Sequence, residues 1–308
     1  MADIRNILGI EYPIIQGAMA WIADGKLCGS VSKAGGLGII AAGNAPIDWV
    51  REQIRIAKSI TDKPFAVNIM LMSDTCDDVA RLVIEENVKC VTTGAGSPAK
   101  YMEDFINAGI KVMPVIPSSA LAKRMEKCGA TAVIAEGMEA GGHIGQLTTM
   151  ALMPSVVDAV DIPVICAGGV ADGRGMAAAY CLGASGVQVG TRFLVADECS
   201  IHEEYKNKVL KAKETDTVVT GRCTGHPVRC LKNRFAKSLL DAEKQGIDPM
   251  EFEHLSIGSL KKAVVDGDAD GGSFMAGQIA GIVKETMSAK DIILDIYNGA
   301  KQISSLID

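Results

Sequence analysis

Ala132-Val133-Ile134-Ala135-Glu136-Gly137-Met138-Glu139-Ala140-Gly141-Gly142-His143-Ile144-Gly145 joins an apolar, strand-like run to a loop. That loop carries four glycines and one of the chain's four histidines. Runs of the same apolar, β-branched kind recur at Pro13–Ala18, Leu37–Ala42, Phe65–Leu71, Cys90–Gly94, Val112–Ile116, Pro163–Ala167 and Gly186–Val189. Between them lie stretches of helical period, such as Ile47–Ile60 with Val50, Ile54 and Ala57 on one face, Asp77–Glu86 and Ser118–Lys127. Strand and helix in alternation mean βα units and a parallel sheet. Eight such units make an α/β protein whose expected fold is a (β/α)8 TIM barrel. Periodicity alone leaves a doubly wound open sheet as the alternative, because it does not establish closure.

The chain has 308 residues, 48% hydrophobic and 22% charged, which is the composition of a well-buried globular enzyme. Aromatics are only 4% while glycine numbers 33, a profile suited to close packing of helices on strands rather than to base stacking. A net charge of −6 argues against nucleic acid as a partner. The nine cysteines form no C-x-x-C pair and sit mostly in apolar runs, as buried thiols of a reducing compartment do. Met1–Asn6 lacks the basic-then-apolar pattern of a leader, and no apolar run approaches membrane-spanning length. The expectation is a cytoplasmic protein without membrane contact.

After Phe193 the pattern changes. Charged helical segments (Glu203–Lys213, Lys232–Lys244) and a short strand-like Thr217–Thr220 replace the βα rhythm, until the glycine-rich Gly271–Gly281 and a final amphipathic helix, Ala289–Lys301. The expected layout is a barrel of residues 1–196 and 271–308 interrupted by a small inserted domain, 197–270.

In such a barrel the loops beyond the strands' C-terminal ends form the active face. That rule collects Gln16–Ala20, Asn68, Thr92–Gly96, the His143 loop, Ala167-Gly168-Gly169 and Gln188–Thr191 on one rim. The seventh and eighth runs end in Gly168-Gly169 and Gly190-Thr191, where barrels bind phosphate with backbone N–H groups and a nearby helix N-terminus. No Walker loop and no G-x-G-x-x-G after the first strand is present, so a phosphorylated cofactor held by the barrel is expected instead of a Rossmann-bound one. Flavin mononucleotide (FMN) is the natural candidate, with Asn68 and Gln188 as polar contacts; pyridoxal phosphate or a sugar phosphate also satisfies the residues alone. His143, His202, His226 and His254 are scattered with no H-E-x-x-H, so no metal is expected, and no G-x-S-x-G elbow supports hydrolysis. Glu139 reads equally as a pocket carboxylate or as one capping backbone N–H groups. His226, in the inserted segment, reads equally as structural, substrate-contacting or ion-binding.

Gln16-Gly-Ala-Met-Ala-Trp21, Ser32-Lys-Ala-Gly-Gly-Leu-Gly-Ile39, Val67–Leu71, Thr92–Gly96, Glu136–Gly145, Ala167–Asp172, Val187–Phe193 and Asp270–Gln278 together resemble FabK-type enoyl-acyl-carrier-protein reductases, nearly end to end and in the same order. These reductases share a superfamily with FMN-dependent nitronate monooxygenases. The resemblance implies NAD(P)H-driven, FMN-mediated reduction of trans-2-enoyl thioesters on acyl carrier protein in fatty-acid elongation; oxidation of alkyl nitronates is the alternative. It implies His143 as the catalytic group. It maps cofactor contacts onto Ala18, Met19, Ala20, Asn68, Thr93, Glu136, Gly168, Gly169, Gly190, Thr191, Met275, Ala276 and Gln278, and the rim residues Gly141, Ala167 and Gln188 complete the candidate set. NADH and NADPH are not distinguished, and a homodimer is expected. Arg222, Arg229, Lys232, Arg234 and Lys237 are expected to help dock the acidic carrier. Ending at Asp308, the chain is somewhat short for this family, a difference expected to bear on packing rather than chemistry.

Overall fold

The computed structural model describes residues 3–304. Met1 and Ala2, part of the stretch examined for a leader, and Asp308 lie outside the described residues. Eight parallel strands form the barrel wall: β1 (Ile14–Gln16), β2 (Ile39–Ala41), β3 (Ala66–Met70), β4 (Cys90–Gly94), β5 (Lys111–Ile116), β6 (Val133–Glu136) and, after the two-residue β7 (Gly142–His143), β8 (Val164–Ala167) and β9 (Gly186–Val189). All eight expected runs are strands. β1 pairs in parallel with β9, and the order continues through β8, β6, β5, β4 and β3 to β2.

Closure occurs at Leu37, just before β2. The Gln16 N–H donates to the Leu37 carbonyl at 2.9 Å, and the Leu37 N–H donates to the Ile14 carbonyl at 3.0 Å. The fully buried Gln16 side chain reinforces the seam, accepting from the Ile39 N–H at 3.1 Å and donating to the Gly17 carbonyl. The open sheet left as an alternative is thereby excluded.

Successive residues of a strand face opposite sides, and that alternation divides the core. Ile15, Ile39, Ala66, Cys90, Met113, Ile134, Ile165 and Ala167 pack together in the barrel interior. Ile4 and Leu8, from the helix Ile4–Leu8, join this interior cluster. The intervening residues, among them Ile14, Val133, Ala135, Val164 and Val187, pack outward against the helices. Ile40, Val67, Val91 and Val112 do the same on the opposite wall, where Val50, Ile54 and Ala57 of the helix Ile47–Ile60 cover them.

Two further strands, β10 (Thr217–Thr220) and β11 (Val228–Leu231), pair antiparallel in the segment after the barrel strands. β11 also pairs with β7, setting Val228 opposite His143 and Arg229 opposite Gly142. The His143 loop is therefore stitched into a second, three-stranded sheet. Helices follow at Arg234–Lys244 and Pro249–Ser256, then a π-helical turn at Lys262–Asp266. The chain returns past Phe274 and Met275 to the helix Ala289–Ser304, which lies against the helix Gly173–Cys181 so closely that a Cβ on Gly173 would sit 2.3 Å from the Gly299 carbonyl carbon. Among the described residues no helix is long and apolar enough to cross a membrane.

The helix Gly25–Lys33 lies so close to the start of β2 that a Cβ on Gly38 would lie 2.0 Å from the Cys28 carbonyl oxygen. Gly38→Ala is expected to destabilise the fold by about 3 kcal/mol or more through overpacking. Gly94→Ala, whose added Cβ meets nothing within 4 Å, should stay within about 0.5 kcal/mol of the parent. Denaturant midpoints of the two variants check the contrast.

Candidate active site

Strand alternation puts a polar layer on top of the apolar barrel interior. Ala66, Cys90, Ile134 and Ile165 face inward, so Asn68, Thr92, Glu136 and Ala167 do too, two residues further along the same strands. Asn68 donates from its amide to the Thr92 hydroxyl at 3.0 Å across neighbouring strands. On the other wall Glu136, Ala167 and Gln188 stand side by side on β6, β8 and β9. The sequence gathers Thr92 onto the rim only as part of Thr92–Gly96 and not as a cofactor contact; counting by two from Cys90 places it in the inward layer.

The loops beyond these strands are knitted to the returning chain by close backbone contact. A Cβ on Gly141 would lie 2.6 Å from the Ala276 carbonyl carbon, and one on Gly277 would lie 2.6 Å from the Glu139 carbonyl oxygen. The Gln278 N–H donates to that same oxygen at 2.9 Å, and the Gly277 N–H donates to the Thr191 hydroxyl at 2.9 Å. Gly141, Thr191, Ala276 and Gln278 thus meet. Met19 comes in from β1, its sulfur 3.7 Å from a Cβ built on Gly190, and Met275 brings its sulfur 3.7 Å from one built on Gly142. Asn68 and Thr93 stand apart from this cluster, on β3 and β4.

Glu139 caps backbone, as one of its two readings has it: its carboxylate accepts from the Thr149 N–H at 3.0 Å and from the Thr149 hydroxyl at 3.0 Å, at the start of the helix Thr149–Val157. Arg229 departs from its expected role. It is buried, with its Nε–H donating to the Met138 carbonyl at 3.1 Å and its Nη1 donating to Thr217 Oγ1 at 3.0 Å. A guanidinium spent on bracing the rim loop is not available to a docking partner. The cause is β11, the central strand of the small sheet, on which Arg229, Cys230 and Leu231 are all buried, whereas Arg222, Lys232, Arg234 and Lys237 are exposed.

His143 is exposed at the rim. Desolvation, and after it the nearby His226, hold its imidazole below the usual histidine pKa, so it is neutral at pH 7. Burial raises the Glu136 carboxyl to about 7. One residue is neutral where histidine usually begins to charge, and the other holds a proton well above the usual carboxylate range. Such displaced titrations mark functional sites.

The family model described as nitronate monooxygenase matches residues 2–82 and 76–299. The chain belongs to the nitronate monooxygenase family. Family membership makes it an FMN-dependent oxidoreductase. Among solved structures, FabK from Thermotoga maritima is 48% identical, with a TM-score of 0.97 over 100% of this chain and 98% of that one. Among relatives, a (3aS,4S,5R,7aS)-5-hydroxy-7a-methyl-1-oxo-octahydro-1H-indene-4-carboxyl-CoA dehydrogenase of Mycobacterium tuberculosis is 34% identical, covering 99% of this chain and 98% of its own. A probable nitronate monooxygenase of Staphylococcus saprophyticus is also 34% identical, covering 97% and 98%.

The residues of this family member suit a phosphorylated flavin. Gly168 and Gly169 hold left-handed φ values of 85° and 79°, and a Cβ on Gly168 would come within 2.8 Å of the Gly137 carbonyl oxygen. At the helix after β8 Asp172 caps the N-terminus, accepting from the Arg174 and Gly175 N–H groups at 2.9 and 3.3 Å. The short 3₁₀ helix Thr191–Val195 begins with no side-chain cap.

Glu136 makes stability fall with pH. Its folded pKa lies above the unfolded value, so the folded state binds the extra proton between about 4.5 and 7; stability is greatest below that window and declines through it. Glu136→Gln in the cofactor-free protein is expected to remove most of this decline, up to roughly 3 kcal/mol between pH 4.5 and 7. Denaturant unfolding at the two ends of the window measures it.

Proposed function

We propose that this family member is an FMN-dependent enoyl-acyl-carrier-protein reductase, consuming NADH or NADPH and saturating trans-2-enoyl thioesters in fatty-acid elongation. The observation that carries the proposal is the likeness to Thermotoga maritima FabK, spanning the whole chain at nearly half identity. A relative named as a carboxyl-CoA dehydrogenase adds a thioester among the family's compounds. Nitronate oxidation is the second reading, favoured by the family model and the staphylococcal relatives.

The residues proposed to hold FMN are Ala18, Met19, Ala20, Asn68, Thr93, Glu136, Gly141, Ala167, Gln188, Met275, Ala276 and Gln278, with Gly168, Gly169, Gly190 and Thr191 on its phosphate. FMN when bound supplies the two-electron relay from nicotinamide to the enoyl β-carbon. The chain's own part lies at the thioester carbonyl, where negative charge develops as the β-carbon is reduced. A neutral His143 donates its N–H to that oxygen, stabilising the enolate before the α-carbon takes its proton. The β7–β11 pairing fixes where His143 stands, and Arg229 and Glu139 fix the loop that carries it. Leu147 and Met150, both exposed apolar residues just beyond His143, offer the acyl chain a surface. Residues 197–270 form the proposed inserted domain, and the chain is proposed to act as a cytoplasmic homodimer.

NADH oxidation followed anaerobically, with and without crotonyl thioester, separates the two readings. Enoyl-dependent turnover is expected; oxygen uptake with an alkyl nitronate and no enoyl turnover would overturn the reductase. His143→Ala should lower kcat by about 10²-fold or more while the flavin remains bound. The exposed cations Lys232, Arg234 and Lys237 are proposed to dock the carrier. Reversing their charge together should raise KM several-fold for carrier-bound substrate and leave that for the coenzyme A thioester unchanged, as steady-state kinetics on the two substrates will report.

A further inference from the structure

The chain has two tryptophans, and both line one cleft. Trp21 and Trp49 enclose it with Asp24, Gln53, Ser200, His202, Val264 and Val265, around a volume of about 450 Å³. It lies where the β1 loop and the helix Ile47–Ile60 meet the segment beyond β9, and it shares no lining residue with the proposed FMN site.

Trp21 is held in an unusual state. Its backbone sits at φ 65°, a region that bulky residues rarely occupy, while its ring is 50% exposed. An exposed indole on strained backbone gains little for folding, so the conformation calls for another use. The Lys261 ammonium stands 5.0 Å from the Trp21 ring centroid. Lys262, next in sequence, is exposed too, where the π-helical turn Lys262–Asp266 begins. Beneath, the lining is preset. Asp24 accepts from the Leu27 N–H at 2.8 Å, Gln53 accepts from the Gly25 N–H at 3.0 Å, and the His202 imidazole accepts from the Glu204 N–H at 3.1 Å. A Cβ on Gly267 would fall 2.1 Å from His202 Nδ1, so that ring is held flush against glycine backbone.

An indole pair, a cation beside one of them and fixed hydrogen-bonding side chains describe a receptor for a planar heteroaromatic ring with an anionic tail. Purines stack on indole faces, and lysine pairs with phosphate as a point charge. The volume falls in the ordinary range for small-molecule sites. We propose that this cleft binds an adenosine phosphate, the ring stacking at Trp21 and Trp49 and a phosphate meeting Lys261. Two residues, at most about 7 Å of chain, separate Trp21 from Met19 at the rim, so a ligand anchored here by its adenosine lies within reach of the barrel mouth. Adenosine phosphate is common to nicotinamide dinucleotides and to coenzyme A thioesters. That choice of ligands rests on the reductase reading; recognition in the cleft does not require turnover.

Because both tryptophans line the cleft, intrinsic fluorescence of the flavin-loaded protein reports on it directly. ADP-ribose represents the dinucleotide source, and adenosine 3′,5′-bisphosphate the coenzyme A source. Saturable quenching by at least one of them is expected, and the tighter ligand identifies the source. Titration calorimetry should show the Kd for that ligand raised tenfold or more in Lys261→Ala and in Trp21→Ala, with the flavin spectrum unchanged in both. No saturable binding of either ligand, or binding that survives both substitutions, overturns the proposal. Binding in a protein that reduces no enoyl thioester would defeat the reductase reading and leave the cleft as assigned; enoyl turnover without binding would do the reverse.

Discussion

Backbone touches backbone where the β6 loop meets the returning chain, and the site depends on that contact. Gly141 against Ala276 and Gly277 against Glu139 leave no room for a side chain on either side. A methyl group at Gly141 or Gly277 would force the two segments apart. The hydrogen bonds from Gly277 to Thr191 and from Gln278 to Glu139 would then stretch, and three separately folded pieces of chain would lose their common registration. Side-chain packing adapts to small displacements by changing rotamer, whereas abutting main chains do not. The rim therefore has one arrangement, set by the absence of atoms.

Electrostatics reinforce this geometry from both sides of the His143 loop. Arg229 holds the Met138 carbonyl and Glu139 holds the next helix's first turn, so neighbouring residues of one loop are tied to different elements. Both groups are charged and partly or wholly desolvated, conditions in which hydrogen bonds to ions are stronger than between neutral partners. The loop can be rich in glycine and still be rigid, because its anchors lie at Met138 and Glu139 rather than at the glycines. His143 is thereby placed by its surroundings and left free at its own imidazole.

The barrel was legible in the sequence because burial on both faces of a parallel strand writes a dense apolar run, and eight such runs were there to find. The polar layer was legible in part. Asn68, Glu136 and Gln188 stood out as polar residues within or ending apolar runs, while Thr92 entered only as part of Thr92–Gly96, since threonine is at home in any strand. The small sheet was the real gap. β7 is two residues long and holds a glycine and a histidine, and β11 begins after a proline and carries Arg229 at its centre. Neither shows alternation over enough residues to register, and with β11 unseen Arg229 looked like one more surface cation. Strand pairing formed by partners distant in sequence leaves its trace in the partners' positions, not in their composition.

The position of the first helix has a consequence for how the molecule assembles. Ile4 and Leu8 close the barrel interior, and Ile4 lies 3.4 Å from a Cβ built on Gly186 at the start of β9. β1 likewise pairs along its length with β9 and meets the Leu37 segment at a bridge on its other edge. Gly186 lies more than half the chain's length beyond Ile4 in sequence, so this part of the seat is a long-range contact. Loop closure over that separation is entropically costly and slow, and until it occurs Ile4, Leu8 and one edge of β1 lack part of their cover. The seam between β1 and β9 thus closes only over a long stretch of chain, a vulnerability in time that the finished barrel no longer displays.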